Sequence, residues 1–175
     1  MSQGWRFAKS VVVKTCWLTP VFVTVNDLVA GPASVHGRSM QPTLNPSGSA
    51  LKDIVLVDKL SIRMYRYSRG DVVLFRSPAS PDTILIKRLL ALEGDWVAFP
   101  DRVDIEKIPQ GHCWLEGDNA NLSEDSRSKY GAVPLALIEG RVTHVLWPPS
   151  RMSSVSSFTP PGRLLMKNSF ALKER

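Results

Sequence analysis

Ile84-Leu-Ile-Lys-Arg-Leu-Leu-Ala-Leu92 is apolar at every position except a lysine and an arginine set side by side. A short apolar run of this kind reads as a buried strand. Side chains on a strand alternate between its two faces, so Lys87 shares one face with Leu85, Leu89 and Ala91. Arg88 shares the other with Ile86, Leu90 and Leu92, and both faces read as buried. An amine held there loses hydration, which penalises its charged form and lowers its pKa. A lysine brought down to about 7–8 accepts a serine proton near neutral pH. Taken alone, the stretch is also compatible with a lysine near a strand end whose amine stays in solvent.

Further runs of the same character lie to either side: Ile54-Val-Leu-Val57, Asp71-Val-Val-Leu-Phe75, Trp96-Val-Ala-Phe99 and Arg141-Val-Thr-His-Val-Leu-Trp147. They are rich in β-branched and aromatic residues, and Arg-Gly-Asp, Glu-Gly-Asp and proline turns separate them. Thirteen prolines and eleven glycines across 175 residues suit such a turn-rich chain. The expectation is one mainly β domain over residues 33–149.

Upstream, residues 10–30 are mostly apolar. A spanning helix needs about 20 such residues. Lys14 can snorkel near the start of the segment, Pro20 should kink it, and Asn26 and Asp27 weaken its end. A single span, an interfacial helix, and a buried or cleaved segment all fit, with residues 1–32 as the N-terminal unit. Arg6 and Lys9 precede the segment, and residues 26–37 contain no lysine or arginine. The positive-inside bias then keeps the N-terminus on the cytoplasmic or matrix side and sends the rest across. Downstream, residues 150–175 are Ser-rich and contain Pro160-Pro161, which reads as a loosely ordered tail.

The net charge of +6 favours an anionic partner. The cations are spread along the chain rather than gathered in a block, which argues for a membrane surface and against nucleic acid. Cys16 and Cys113 have no metal-ligand company and read as two free thiols. No metal or cofactor is implied.

Gly37-Arg-Ser-Met-Gln-Pro-Thr-Leu44 sets a serine in a tight loop whose proline restricts the residue before it. Most such sequences are plain turns, and serine is a poor nucleophile until a base takes its proton. His36, His112 and His144 each lack an acidic neighbour to orient an imidazole, which leaves Lys87 as the better base. In Gly117-Asp-Asn-Ala-Asn-Leu-Ser-Glu-Asp-Ser-Arg-Ser-Lys-Tyr-Gly131, Asp125 can pair with Arg127, and Ser123 or Ser126 can orient a neutral amine. The same residues also make an ordinary polar surface loop.

Four segments in this order resemble the conserved boxes of type I signal peptidases. They are Gly37–Leu44 as quoted, Arg69-Gly-Asp-Val-Val-Leu-Phe75, Lys87-Arg-Leu-Leu-Ala-Leu-Glu-Gly-Asp95 and Gly117-Asp-Asn-Ala-Asn-Leu-Ser-Glu-Asp-Ser-Arg127. The resemblance implies an antiparallel β-sheet peptidase domain with an N-terminal membrane-anchoring helix. It makes Ser39 the nucleophile, Lys87 the general base and Ser123 the group that orients the amine, with Asp125 and Arg127 as a supporting ion pair. Arg69-Gly-Asp71 and Gly94-Asp95 become structural turns, and Met40, Leu44, Leu85 and Ile86 border the substrate.

Two positions depart from the bacterial pattern. Gly37 stands where a hydroxyl often helps to bind the oxyanion, and Ala120 stands where arginine is common. These departures, the short length and Leu146-Trp-Pro-Pro149 resemble the mitochondrial inner membrane branch of the family. That resemblance implies a peptidase domain facing the intermembrane space, precursors with cleavable sorting peptides as substrates, and a homologous subunit as partner. The alternatives are a catalytically silent partner subunit and a membrane-surface binding module. A self-cleaving Ser–Lys repressor would need an N-terminal helix-turn-helix, and the sequence has none.

Overall fold

The computed structural model describes residues 3–49, 51–99 and 104–165, with the side chains of residues 9–163 among them. The chain opens with helix α1 (Gln3–Leu28), which runs through Pro20 without ending there. From Lys9 to Leu28 this helix is long and apolar enough to cross a membrane. None of its apolar surface in that stretch is covered, so Val12, Trp17, Leu18 and Phe22 all face outward. Helix α1 leads into β1 (Ala30–Ser34), and β2 (Ile54–Asp58) and the short helix α2 (Leu60–Arg63) follow. Next come β3 (Val72–Ser77), β4 (Ser80–Ala91), β5 (Trp96–Ala98) and β6 (Ile105–Lys107). The last strands are β7 (His112–Glu116), β8 (Val133–Pro134), β9 (Ile138–Trp147), β10 (Ser153–Ser154) and β11 (Leu164–Leu165).

Every described strand pairing is antiparallel. The main sheet has the order β1-β2-β9-β3-β4-β7-β8 with β10 added on β9, and a small second sheet has the order β11-β5-β6. The architecture is therefore mainly β with an N-terminal apolar helix, as the alternation of the strand runs predicts.

At the centre of the main sheet, β3 is buried on both faces, which accounts for its unbroken apolar run. Val72 and Leu74 pack with Val35, Met40, Leu44, Val55 and Val142 on one side. Val73 and Phe75 pack with Leu89, Cys113, Leu115 and Ile138 on the other. A third cluster joins Leu90, Ala91, Val97, Ile108 and Trp114.

The alternation predicted for β4 holds only as far as Leu89. Its register with β7 slips between Leu89 and Ala91, so Leu89 lies opposite Leu115 and Ala91 opposite Trp114. That irregularity turns Ala91 into the third cluster, away from the face it was expected to share with Leu89, and sends Leu92 to the cluster around Leu89. β4 also starts earlier than its apolar run, because Ser77 and Ser80 pair as β3 and β4 close on each other.

The segment after Pro149 is not a loose tail over its described part. Residues 152–165 form a strap in which β10 pairs with β9, β11 pairs with β5, and the Ser157 hydroxyl donates to Asp71 at 2.6 Å. Polar composition misleads there because the strap is held mainly by hydrogen bonds, the Arg163–Glu116 ion pair and the Phe158 ring, with Val155 alone packing on the core cluster around Val35 and Met40. Residues 166–175 of the expected tail lie outside the described residues.

Candidate active site

Ser39 lies in the loop between β1 and β2. The Asn45 side chain braces this loop by donating to the Val35 carbonyl at 2.9 Å. Asn45 also exchanges two hydrogen bonds with Asp53, its backbone N–H donating to the carboxylate and its side-chain oxygen accepting from the Asp53 N–H, each at 2.8 Å. Asp53 is fully buried and ion-paired with Arg151, so the loop is tied to the chain segment that follows β9. Gly37 has φ +84°, a backbone conformation that glycine adopts without strain. This accounts for the glycine in the place where a hydroxyl was sought.

Lys87 lies on β4 opposite Val73 and is only 4% exposed, so the reading of a solvated strand-end amine does not hold. Burial depresses its pKa; Asp125, Glu124 and Asp118 pull it back up and Arg127 pushes it further down, with a net lowering. The buried amine is thus poised toward its neutral form.

The stretch after β7 brings the Ser39 loop and β4 together. The Asn119 N–H donates to the Ser39 carbonyl at 2.9 Å. A side chain at Gly117 would overlap both the Ser123 hydroxyl and the Ser39 carbonyl, so only glycine permits this approach. Burial raises the Asp125 carboxyl, but hydrogen bonds from Arg127, the Gly117 N–H and the Ser123 side outweigh it and hold the pKa low. Arg127 reaches Asp125 at 2.7 Å and Glu116 at 3.4 Å. The Ser123 hydroxyl is buried against the Asp125 carboxylate without a well-aligned hydrogen bond to any described residue.

The predicted substrate positions divide. Met40, Leu85 and Ile86 line a cavity of about 120 Å³ together with Ser39. Leu44 does not; it is fully buried in the core, where the helical turn after Ser39 directs it inward. Val35 and His36 also line the cavity, and His36 Nδ1 lies 3.2 Å from the Ser34 carbonyl. Among the described residues, neither the Ser39 nor the Lys87 side chain makes a hydrogen bond. No group of three metal-ligating side chains is clustered among the described residues.

Sequence reasoning placed Arg88 on a buried face of the strand but gave it no partner and no role. Arg88 is 1% exposed and grips Asp118 with two hydrogen bonds of 2.8 and 2.7 Å. The Thr43 hydroxyl, in the Ser39 loop, donates to the same carboxylate at 2.5 Å. A second charge next to Lys87 in an apolar strand was the available signal, because a buried guanidinium requires a carboxylate partner.

Residues 5–107 and 98–147 match the profile of the family described as signal peptidase, peptidase S26. The mouse protein named mitochondrial inner membrane protease subunit 2 is 46% identical over 165 residues, which cover 93% of this chain and 94% of that one. The subunit 2 of Saccharomyces cerevisiae is 37% identical over 150 residues, covering 83% and 84%. The mouse protein named mitochondrial inner membrane protease subunit 1 is 40% identical over 126 residues, covering 70% and 72%. Similarity of this depth, carried along nearly the whole chain and through each of the four boxes, places the chain in the peptidase S26 family of signal peptidases.

Proposed function

We propose that the chain is a membrane-bound serine endopeptidase that removes N-terminal sorting peptides from precursor proteins at the mitochondrial inner membrane. Ser39 is its nucleophile and Lys87 its general base. The observation that carries this reading is the amine of Lys87, almost fully buried and shifted toward neutrality, on a strand gripped by the stretch that also binds the nucleophile loop. In the reaction, substrate excludes water from the cavity and Ser39 Oγ closes on the Lys87 amine. Neutral Lys87 takes the hydroxyl proton as Oγ attacks the scissile carbonyl. The protonated amine then gives that proton to the departing amino group, leaving an acyl-enzyme. A water deprotonated by Lys87 hydrolyses the ester and restores the site. With Gly37 in place of a hydroxyl, backbone N–H groups, chiefly that of Ser39, bind the oxyanion. Ser123 orients the amine, and the Asp125–Arg127 pair holds the stretch around it.

Helix α1 anchors the peptidase domain. The charge bias around it directs the N-terminus to the matrix and the site to the intermembrane space. Ser39 follows α1 so closely that an extended chain carries it no more than about 40 Å from the helix end. Sequence similarity to relatives named as both subunits of one protease supports a heterodimer with a homologous subunit. A silent-subunit reading has no comparable support, since the serine and the buried lysine are both present.

The test is processing of a candidate precursor by purified chain, with and without the homologous subunit. Ser39→Ala, Lys87→Met and Lys87→Arg should each lower cleavage at least about a thousandfold, as removal of a catalytic nucleophile or base does elsewhere. All three variants should keep the wild-type membrane association. Cleavage that survives Ser39→Ala refutes the assignment.

A further inference from the structure

The C-terminal strap crosses the molecule directly over Arg88, one residue from the proposed base. The Ser156 carbonyl accepts from Arg88 Nη1 at 3.0 Å, and the Phe158 ring lies over the guanidinium with its centroid 3.9 Å away. The Gly70 carbonyl accepts from the same Nη1 at 2.6 Å. Gly70 is in turn the place where the strap seats, since a side chain there would overlap the Phe158 backbone. Beneath the ring, Arg88 holds Asp118, and Asp118 holds Thr43, four positions beyond Ser39. The neighbouring Asn119 N–H holds the Ser39 carbonyl itself.

We propose that Phe158 is a positioning residue for the peptidase reaction. By capping the Arg88 guanidinium it keeps the Arg88–Asp118 pair locked, and that pair fixes the nucleophile loop against the strand bearing Lys87. The proposal rests on the functional reading above. Its physical basis is desolvation: a guanidinium stacked on a ring and closed off from water binds its carboxylate in a single geometry. A cavity of about 400 Å³, lined in part by Pro42, Thr43, Arg88, Asp118 and Phe158, adjoins the stack. Truncating the ring opens Arg88 to that space and to water.

The electrostatic consequence has a definite sign. Asp118 raises the Lys87 pKa, and Arg88 neutralises Asp118. When Arg88 loosens, Lys87 feels more of the Asp118 charge and holds its proton to higher pH. The other charged groups facing Lys87 are Asp125, Glu124 and Arg127. Asp125 and Arg127 pair with each other and Glu124 pairs with Lys129, while Arg127 also reaches Glu116, which the strap's Arg163 holds; Arg163 is unchanged in every Phe158 variant.

The experiment uses the full chain with its partner subunit, a peptide that the wild type cleaves, and Phe158 changed to Ala, Leu or Tyr. Phe158→Ala should lower kcat/KM at neutral pH about tenfold, the scale of one desolvated cation–π contact, and move the acid limb of its pH profile upward. Phe158→Leu keeps an apolar cover without the ring and should move the limb in the same direction, which keeps the test decisive where the alanine variant does not accumulate. Phe158→Tyr should restore both rate and limb. An unmoved acid limb in the leucine variant, whatever happens to its thermal midpoint, overturns the proposal, as does failure of tyrosine to rescue. The underlying reading fails separately, through Ser39→Ala.

Discussion

Lys87 opposes the fold that surrounds it. Burial makes its charged form costly, and only part of that cost is returned by Asp125, Glu124 and Asp118. Its folded pKa lies below the ordinary value of 10.5, so at low pH both folded and unfolded chains carry the proton and the folded state bears the whole penalty. Between the folded pKa and 10.5 the unfolded chain binds more protons, and stability rises with pH. Lys87→Met, which fills the same apolar slot without charge, should therefore stabilise the domain most at acid and neutral pH. Its advantage should shrink as pH approaches the ordinary lysine value. Urea midpoints at pH 5, 7, 9 and 10.5 check this, and an advantage that stays constant from pH 5 to the ordinary lysine value contradicts a buried, titrating amine. The burial of Lys87 was only half legible in the sequence: the apolar run around it pointed inward, but the run alone equally allowed a solvated strand-end amine, and the family resemblance singled the residue out. Thr43 and Asp118 were not legible, because a threonine in a turn and an aspartate after glycine look like any loop until the fold sets them against Arg88.

Strands whose apolar residues alternate or run unbroken could be read directly, as β2, β3 and the centre of β4 show. β7 escaped notice although Pro109-Gln-Gly111 and Gly117-Asp-Asn119 bound it, because His-Cys-Trp-Leu-Glu mixes polar ends with a short apolar centre. Its glutamate is buried for reasons outside the strand: Glu116 accepts from the Trp114 indole at 2.8 Å and pairs with Arg127 and Arg163. The strap escaped for a related reason, since serines and prolines have no periodicity that marks a docking surface. Its contribution to stability is nonetheless concrete. Removing residues 152–175 strips the Ser157 hydroxyl from Asp71, the Ser156 carbonyl and the Phe158 ring from Arg88, and Arg163 from Glu116. Each buried polar group left without its partner costs about 1–3 kcal/mol. The truncated chain should thus unfold at a clearly lower urea midpoint, by several kcal/mol in total on that same scale. A midpoint equal to that of the full chain would show that the strap is a passenger.

At the scale of the whole molecule, an uncovered apolar helix is joined to a compact sheet domain by a rigid fastening. The Lys59 amine donates to the Asn26 carbonyl at 3.1 Å, and the Lys59 N–H donates to the Val29 carbonyl at 2.8 Å. A side chain at Gly31 would meet the Asn26 side chain, which would have to move aside. These bonds tie the end of helix α1 to the domain, and the Ser39 loop follows within the next strand and turn. On the proposed function, precursors held at the same membrane meet a site tied to its anchor by a restricted local encounter instead of a search through solution. A flexible Gly/Ser linker of about eight residues, inserted between Leu28 and Val29, releases the domain by an r.m.s. reach of about 16 Å. The folded site is left intact by that insertion. Cleavage of a short soluble peptide should then match the wild type, while processing of a membrane-embedded precursor should fall several-fold. Equal loss on both substrates would mean that the insertion damages the site, and no loss on either would mean that the height of Ser39 above the bilayer does not govern processing.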